Sequence, residues 1–269
     1  MDEARVSNPG GRSDRRRLLE EAATALVQAE RDRCPIAPLS HSIPDLNEQE
    51  AYMIARLRTA AMDCATIGYK LGYTSAAMRA QMGIAEPNFG VLLAGSRWPQ
   101  EQTLPLGELI HPLLEPEITF LMGSDLTGPD VGRNDAWQAI EAIICSLEIV
   151  DTRYESYSFT AVDNISDNSS AARFVIGEWV GREAARDLQD VSVGLEQDGR
   201  PIDAGKGSDA MGDPVMALAW LANKLSETGS QILAGQLVMT GGLTKAHPAK
   251  AGFRFAASFS GIGTVAAQF

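Results

Sequence analysis

The sequence predicts an α+β fold, with helices early in the chain and a twisted β core after them. Apolar residues recur at helical spacing first, around Leu18–Ala29 and then at Ile54, Leu57 and Ala61. From Thr66 onward the texture changes to short apolar runs punctuated by Gly and Pro, the pattern of strands and loops. Towards the C-terminus, Gly235, Gly241, Gly242, Gly252, Gly261 and Gly263 separate short runs, which suggests a curled antiparallel sheet. The division falls between a helical arm, 1–65, and a core, 66–269.

Taken in order, the first ~12 residues, with Asn8-Pro9-Gly10-Gly11, read as a frayed arm. Ser13 or Asp14 then caps a helix through Leu18–Ala29. Pro35, Pro38 and Pro44 mark an extended linker, and a second helix starts near Asp45 or Asn47. Leu113 to Phe120 alternates polar positions with Leu114, Pro116, Ile118 and Phe120, the period of a strand. Asp135 is expected to cap a helix carrying Trp137, Ile140 and Ile144, followed by a short strand over Leu147–Thr152. Asp213-Pro214 is an N-cap with proline at the first helical position, and Gly229 suits that helix's C-terminal end.

The chain has 269 residues, 45% hydrophobic and 22% charged, enough for one large domain or two small ones. A formal net charge of −12 disfavours nucleic acid, which needs clustered positive charge. Arg15-Arg16-Arg17 is followed at once by Glu20 and Glu21 and reads as a solvated helix end. The longest apolar stretch, Val215–Ala222, is far short of the ~20 residues that span a membrane. Three cysteines without a C-x-x-C pair, and a polar N-terminus, fit a cytoplasmic protein in a reducing compartment.

The most informative local feature is Glu115-Pro116-Glu117 inside the expected strand. Residues two apart share a face about 7 Å apart. Two carboxylates on one face of an apolar strand repel and resist burial unless something positive sits between them. A metal ion answers this, and Glu148 on another aliphatic strand offers a third acid. Three carboxylates suit Mg²⁺ or Mn²⁺ and suit zinc or copper poorly. The residues alone leave open that both glutamates face water at a sheet edge. They equally leave His111, in phase with both but directly before Pro112, as either a ligand or a loop residue.

These residues also resemble a known family. Gly68-Tyr69-Lys70-Leu71-Gly72-Tyr73-Thr74-Ser75, then Glu86-Pro87-Asn88-Phe89-Gly90, looks like the opening signature of the 2-keto-4-pentenoate hydratase and 4-oxalocrotonate (2-oxo-3-hexenedioate) decarboxylase group. His111–Ile118, Leu147–Tyr154, Ser166–Ser170, Ala219–Asn223, Gly241–Thr244 and Gly261–Val265 continue the likeness in order to the C-terminus. The resemblance implies a fumarylacetoacetate-hydrolase-like fold, a twisted mixed β core with an N-terminal helical region. It implies that Glu115, Glu117 and Glu148 hold one Mg²⁺ or Mn²⁺ and that Lys70 lies in the active site. On its own, Lys70 would read as a snorkelling surface lysine.

The two branches of this group differ in chemistry: the hydratase adds water to 2-hydroxypenta-2,4-dienoate, and the decarboxylase makes that dienol by removing the distal carboxylate of 2-oxohex-3-enedioate. Hydratases typically carry Asp where this chain has Asn88, and an amide cannot serve as a carboxylate base. Segments 151–159 and 167–174 look more like decarboxylases and supply Arg153 and Arg173, candidate partners of a second carboxylate if they are not ordinary ion pairs. Ser166, Asn168, Ser170 and Thr244 complete the expected substrate contacts. The favoured reading is a decarboxylase of a meta-cleavage aromatic pathway. The alternatives are the hydratase, a non-catalytic partner subunit of a hydratase–decarboxylase complex, and an acylpyruvate-type hydrolase, for which none of the histidines makes an evident dyad. Asp213, where relatives often show His, and Phe253, in place of an acidic residue, hint at an altered substrate. The expected partners are a small 2-oxo acid and further subunits, as a homo-oligomer or with a paralogous enzyme.

Overall fold

The structure, a computed structural model, describes residues 9–76, 79–80 and 84–269. The N-terminal helix α1 (Pro9–Asp32) begins earlier than the Ser13 or Asp14 cap suggested. Pro9–Gly11 of the expected arm are already helical, and the rest of that arm lies outside the described residues. Proline at a first helical turn gives up no intrahelical hydrogen bond, which allows the earlier start. Helix α2 (Glu48–Ala60) is capped by Asn47, whose side chain accepts from Glu50 N while Glu50 reaches back to the Asn47 N–H. Arg15 grips both carboxylate oxygens of Glu50 at 2.7 Å, tying α1 to the start of α2. Leu19, Ala22, Ala23 and Leu26 of α1 meet Ile54 of α2, Leu39 and Ile43 of the linker, and Tyr154, in an apolar cluster of their own.

The core holds eleven strands in the described residues. One sheet is formed by β1 (Thr66–Gly72), β2 (Asn88–Leu93), β3 (Leu113–Met122), β4 (Ile140–Val150), β5 (Ala171–Gly181), β8 (Leu237–Met239) and β9 (His247–Pro248). Its order is β2-β1-β8-β3-β4-β5, with β9 beside β3. Only the β1–β8 pair is parallel. The segment after β2 bridges back to β5 at Arg97 and Phe174, with Trp98 N donating to Phe174 O at 2.8 Å, so the sheet curls on itself. Leu92, Ile144, Phe174, Leu237 and Met239, from both edge strands and the middle, pack inside the curl.

The second sheet, in the order β11 (Gly263–Gln268), β10 (Arg254–Phe259), β6 (Ser192–Gln197), β7 (Arg200–Lys206), is antiparallel. The expected C-terminal sheet is therefore β10 and β11, while β8 and β9 join the first sheet. The main core lies between the sheets, where Leu114, Ile118 and Phe120 of β3 and Cys145, Leu147 and Ile149 of β4 meet Leu195, Phe255, Ala257 and Val265. Helix α5 (Pro214–Ser226), N-capped by Asp213 with Pro214 first, adds Val215, Leu218 and Ala222. Helix α4 (Ala161–Ser166) follows the loop after β4.

One helix differs from expectation. Helix α3 (Arg133–Ala139) is capped by Gly132, and Asp135 sits one turn in, accepting from Gly132 N at 2.9 Å. Ile140 and Ile144 belong to β4, which starts well before Leu147. A run buried on both faces reads the same at either period, so the helical spacing was accidental. At the sheet interface a Cβ on Gly177 of β5 would lie 2.2 Å from Thr264 O. Gly177→Ala is expected to push the sheets apart at a cost of about 1–3 kcal/mol, read as a fall in melting temperature of several degrees.

Candidate metal centre

The antiparallel register of β3 and β4 sets Glu115 directly opposite Glu148 and Glu117 opposite Ser146. Alternation therefore gathers the three acids on the inner face while Leu114, Pro116 and Ile118 point to the core. One carboxylate oxygen from each lies within 4.8 Å of the others. Lys70 reaches the same face from β1, because β8 pairs Met239 with Lys70 on one side and with Thr119 on the other. Lys70 Nζ stands 3.1 Å from Glu148 Oε2 in a buried ion pair and donates to Ser169 O and Oγ at 3.0 and 3.2 Å. Glu117 Oε2 accepts from Gly241 N at 2.8 Å. Gly241 has a φ of +102°, and a Cβ there would fall 2.0 Å from Thr74 Oγ1, so the glycine is required.

Three acids face one ammonium. Burial pushes the Glu115 carboxyl up to about 7, with the charge of Glu148 adding and Lys70 opposing. Burial raises Glu117 and Glu148 as well. For Lys70 burial acts to lower the pKa, but the three glutamates override it and hold the ammonium charged. Oε1 of Glu117 and Oε1 of Glu148 are buried without a hydrogen-bond partner, and Glu148 Oε2 meets only the Lys70 ammonium. Such oxygens are costly to bury unless a cation meets them. Their number, hardness and proximity fit one octahedral divalent ion with positions left for a chelating ligand. His111 is not in the group: its ring packs 4.8 Å from that of Tyr157.

Glu115 and Lys70 open onto a cavity of about 290 Å³ whose other walls include Tyr73, Tyr157, Phe159, Ser169 and Ser170. Burial raises both Tyr73 and Tyr157, leaving their phenols protonated. Asn88 is one layer back, accepting from Ser169 Oγ at 2.9 Å and donating to Asn164 Oδ1 at 2.8 Å. Asn164 in turn donates to Ser170 Oγ at 3.0 Å. Asn168, Ser169 and Ser170 are three consecutive non-glycine residues at positive φ (55°, 52° and 56°), a conformation that costs energy at each position. The amide of Asn168 clamps Val91 N and O at 2.8 and 3.0 Å and so fastens this turn to β2.

The other expected substrate contacts lie elsewhere. Ser166 Oγ bonds Val162 O within α4, and Thr244 Oγ1 bonds Lys245 O. Arg153 is fully buried and its guanidinium is committed to Asp167 and to the carbonyls of Asp151, Ala171 and Asp167. Arg173 pairs with Ile149, the neighbour of Glu148, so its side chain leaves from the opposite face and reaches Glu108 at 3.4 Å. Neither arginine lines the cavity of Lys70 and Glu115. A histidine–carboxylate pair does exist, His247 with Asp203 at 2.8 Å, but His247 is in register with Leu114, on the face away from Glu115. Sequence reasoning gave no role to Tyr73 and Tyr157, although both lie in segments that carry the resemblance, or to Asn164; the Gly241-Gly242 doublet was the available signal for the Glu117 contact.

Residues 75–269 match the family model for the fumarylacetoacetate (FAA) hydrolase C-terminal region. The chain belongs to this family. It is 34% identical to a 2-keto-4-pentenoate hydratase of Paraburkholderia xenovorans (strain LB400), over 93% of this chain and 94% of the relative. It is 33% identical to a 4-oxalocrotonate decarboxylase of Pseudomonas sp. (strain CF600), over 94% and 99%. Among solved structures, a 4-oxalocrotonate decarboxylase from Pseudomonas putida G7, complexed with magnesium and adipate, superposes with a TM-score of 0.91 at 32% identity, covering 94% of this chain and 98% of that one. A fumarylpyruvate hydrolase from Pseudomonas aeruginosa, with Mn²⁺ and pyruvate, shares the fold at 17% identity and a TM-score of 0.60, covering 74% and 87%. The fumarylacetoacetate-hydrolase-like fold and the likeness to both hydratases and decarboxylases are thus established for this family member.

Two outcomes follow from the buried charges. Arg153→Met strands the carboxylate of Asp167 and is expected to lower the unfolding free energy by about 3–5 kcal/mol in a denaturant titration, with Asp167→Leu added in the same chain recovering part of the loss. Because Glu115 titrates near 7 in the fold against about 4.5 unfolded, the folded chain binds more protons between those values. Without a divalent ion, stability should fall as pH rises from about 4.5 to about 7, and an added ion should flatten that slope. Melting curves across this range, in chelator and in magnesium, measure both.

Proposed function

We propose that the chain is a divalent-metal-dependent lyase that decarboxylates a vinylogous 2-oxo dicarboxylate of the 2-oxohex-3-enedioate type to 2-hydroxypenta-2,4-dienoate. The observation that carries the metal dependence is the trio of buried carboxylates with unpartnered oxygens beside Lys70. The same oxygens speak against a bare scaffolding subunit, which has no use for confined like charges. Glu115, Glu117 and Glu148 would hold Mg²⁺ or Mn²⁺, which when bound supplies Lewis-acid polarisation of the 2-oxo group.

The chain's own residues then have separable tasks. Lys70 is charged and aimed into the site, placed to compensate the negative charge that builds on the C2 oxygen and to deliver the proton that completes the enol. The electrons of the C5–C6 bond move to form C4=C5, those of C3=C4 form C2=C3, and CO₂ leaves. Ser169 orients Lys70, and Asn88 with Asn164 orients Ser169 and Ser170. Asn88 is an amide held on both sides, so this layer supplies no carboxylate to move a proton at the distal carbon. That supports decarboxylation, which needs none there.

The hydratase reading has its own support. Lys70 is the cavity's one cationic side chain among the described residues, so no second cation is at hand for a distal carboxylate. Hydratase relatives are as similar as decarboxylases. Under either reading the catalytic core is 66–269, which holds all four charged residues of the centre. The enzyme would serve a meta-cleavage aromatic pathway in the cytoplasm as a homo-oligomer or with a paralogous partner.

Incubation with 2-oxohex-3-enedioate and magnesium, followed by gas evolution and ultraviolet absorbance, should show CO₂ release and a dienol product. Water uptake by the dienol with no CO₂ release would establish the hydratase instead. Glu117→Ala should lose magnesium binding and turnover together, by calorimetry and by the same assay; retained activity in chelator would overturn the metal dependence.

A further inference from the structure

A second cavity, of about 400 Å³, lies behind the acid centre between the C-terminal end of α2, strand β2 and the start of β5. Arg58 and Arg173 supply its cationic wall, and Met62, Leu92, Leu93 and Phe174 an apolar one. Arg58 is only 2% exposed; one of its nitrogens pairs with Glu30, while its Nε is buried with no partner. Arg173 has one long contact to Glu108, itself half exposed, and otherwise a carbonyl of its own strand. Of the acids that also line the cavity, Glu30 takes one side of Arg58 and also feels Arg173, Asp63 is exposed at the rim, and Glu148 pairs with Lys70, which leaves Arg58 Nε and the Arg173 guanidinium as the donors for a ligand. Behind Arg58, the guanidinium of Arg153 adds repulsion between like charges.

Two guanidinium groups over an apolar wall suit a ligand with one negative head and a hydrocarbon tail. We propose that this cavity is a binding site for a short-chain aliphatic monocarboxylate, its head between Arg58 and Arg173 and its tail against Met62, Leu92 and Leu93. The cavity also touches Asn168, the first residue of the left-handed turn whose Ser169 holds Lys70, and Ala171, the residue just after that turn. An occupant therefore bears on the strained turn from behind while the substrate cavity lies in front, which makes the site a means of steadying Lys70 from a distance.

The test uses the full chain in chelator, where three glutamates facing a single ammonium disfavour anions in the front cavity. Acetate, butyrate, hexanoate and the uncharged hexanamide are titrated by calorimetry and thermal shift. Hexanoate should bind at least about tenfold tighter than acetate, since each buried methylene favours association, and hexanamide should give no shift. Arg173→Gln and Arg58→Met should each weaken hexanoate about tenfold, as loss of a charged hydrogen-bond donor does; if Arg58→Met fails to fold, Arg173→Gln decides. The proposal is overturned if hexanamide matches hexanoate, if Arg173→Gln responds like the unaltered chain, if no carboxylate binds, or if binding appears only with magnesium, which would place the ligand at the acid centre.

Discussion

Three carboxylates and a single ammonium inside a curled sheet form the constraint on which the rest of the structure turns. Burying even one unpaired carboxylate is expensive, and Glu115, Glu117 and Glu148 confront only Lys70. Sheet geometry makes the confrontation unavoidable: the cross-strand pair Glu115–Glu148 and the intervening residue Pro116 leave no register in which the acids separate without exposing Leu114 and Ile118. The surroundings then act to hold this arrangement in place. Gly241 lends a backbone N–H to Glu117, and Ser169 lends both its carbonyl and its hydroxyl to Lys70.

The turn carrying Ser169 is the weakest part by its own backbone preferences, with three side chains in left-handed conformation. It survives because its neighbours over-determine it. Asn168 is stitched to β2 on one side; on the other, Asp167 anchors the buried Arg153, whose remaining donors close on carbonyls of the same loop. Arg153 thus acts on the centre by fixing the loop that positions Ser169. Its contribution is to geometry, through Asp167 and the carbonyls of the loop.

This explains which parts of the site were legible in the sequence. The glutamates were readable because acids at period two in an aliphatic strand violate the pattern around them, and Asp213-Pro214 because capping is a local rule. The start of α2 was readable to Asp45 or Asn47 for the same reason, and the capping box decides for Asn47. Arg153 and Arg173 were misplaced because a charged residue near a site motif looks alike whether it faces substrate or braces a loop; only the register, which pairs Ile149 with Arg173 and Glu148 with Phe174, separates the two. Helix α3 was overextended because Ile140 and Ile144, buried on both faces of a strand, also satisfy a helical spacing. Tyr157 and Asn164 enter the site from a loop and a short helix, where no periodicity exists to mark them.

Among the described residues no arginine lines the cavity, which has a consequence for the proposed chemistry. A guanidinium clasping the distal carboxylate would stabilise the reactant and have to release that energy as neutral CO₂ forms. Among the described residues the cavity instead adds Tyr73, Tyr157 and Phe159 to Lys70 and Glu115, with the two phenols protonated. A carboxylate placed against these rings gains little solvation, whereas charge moving towards Lys70 and the acid centre gains much. Under the proposed reaction, the single cation at Lys70 favours charge at the 2-oxo end in the transition state over charge at the distal end in the reactant. Under the proposed function the dienol presents the same 2-oxo end to Lys70 and has no second charge to place. The shared cavity therefore suits both the diacid and the dienol, and the choice between them rests on whether the residues near the far carbon can supply a proton and a water.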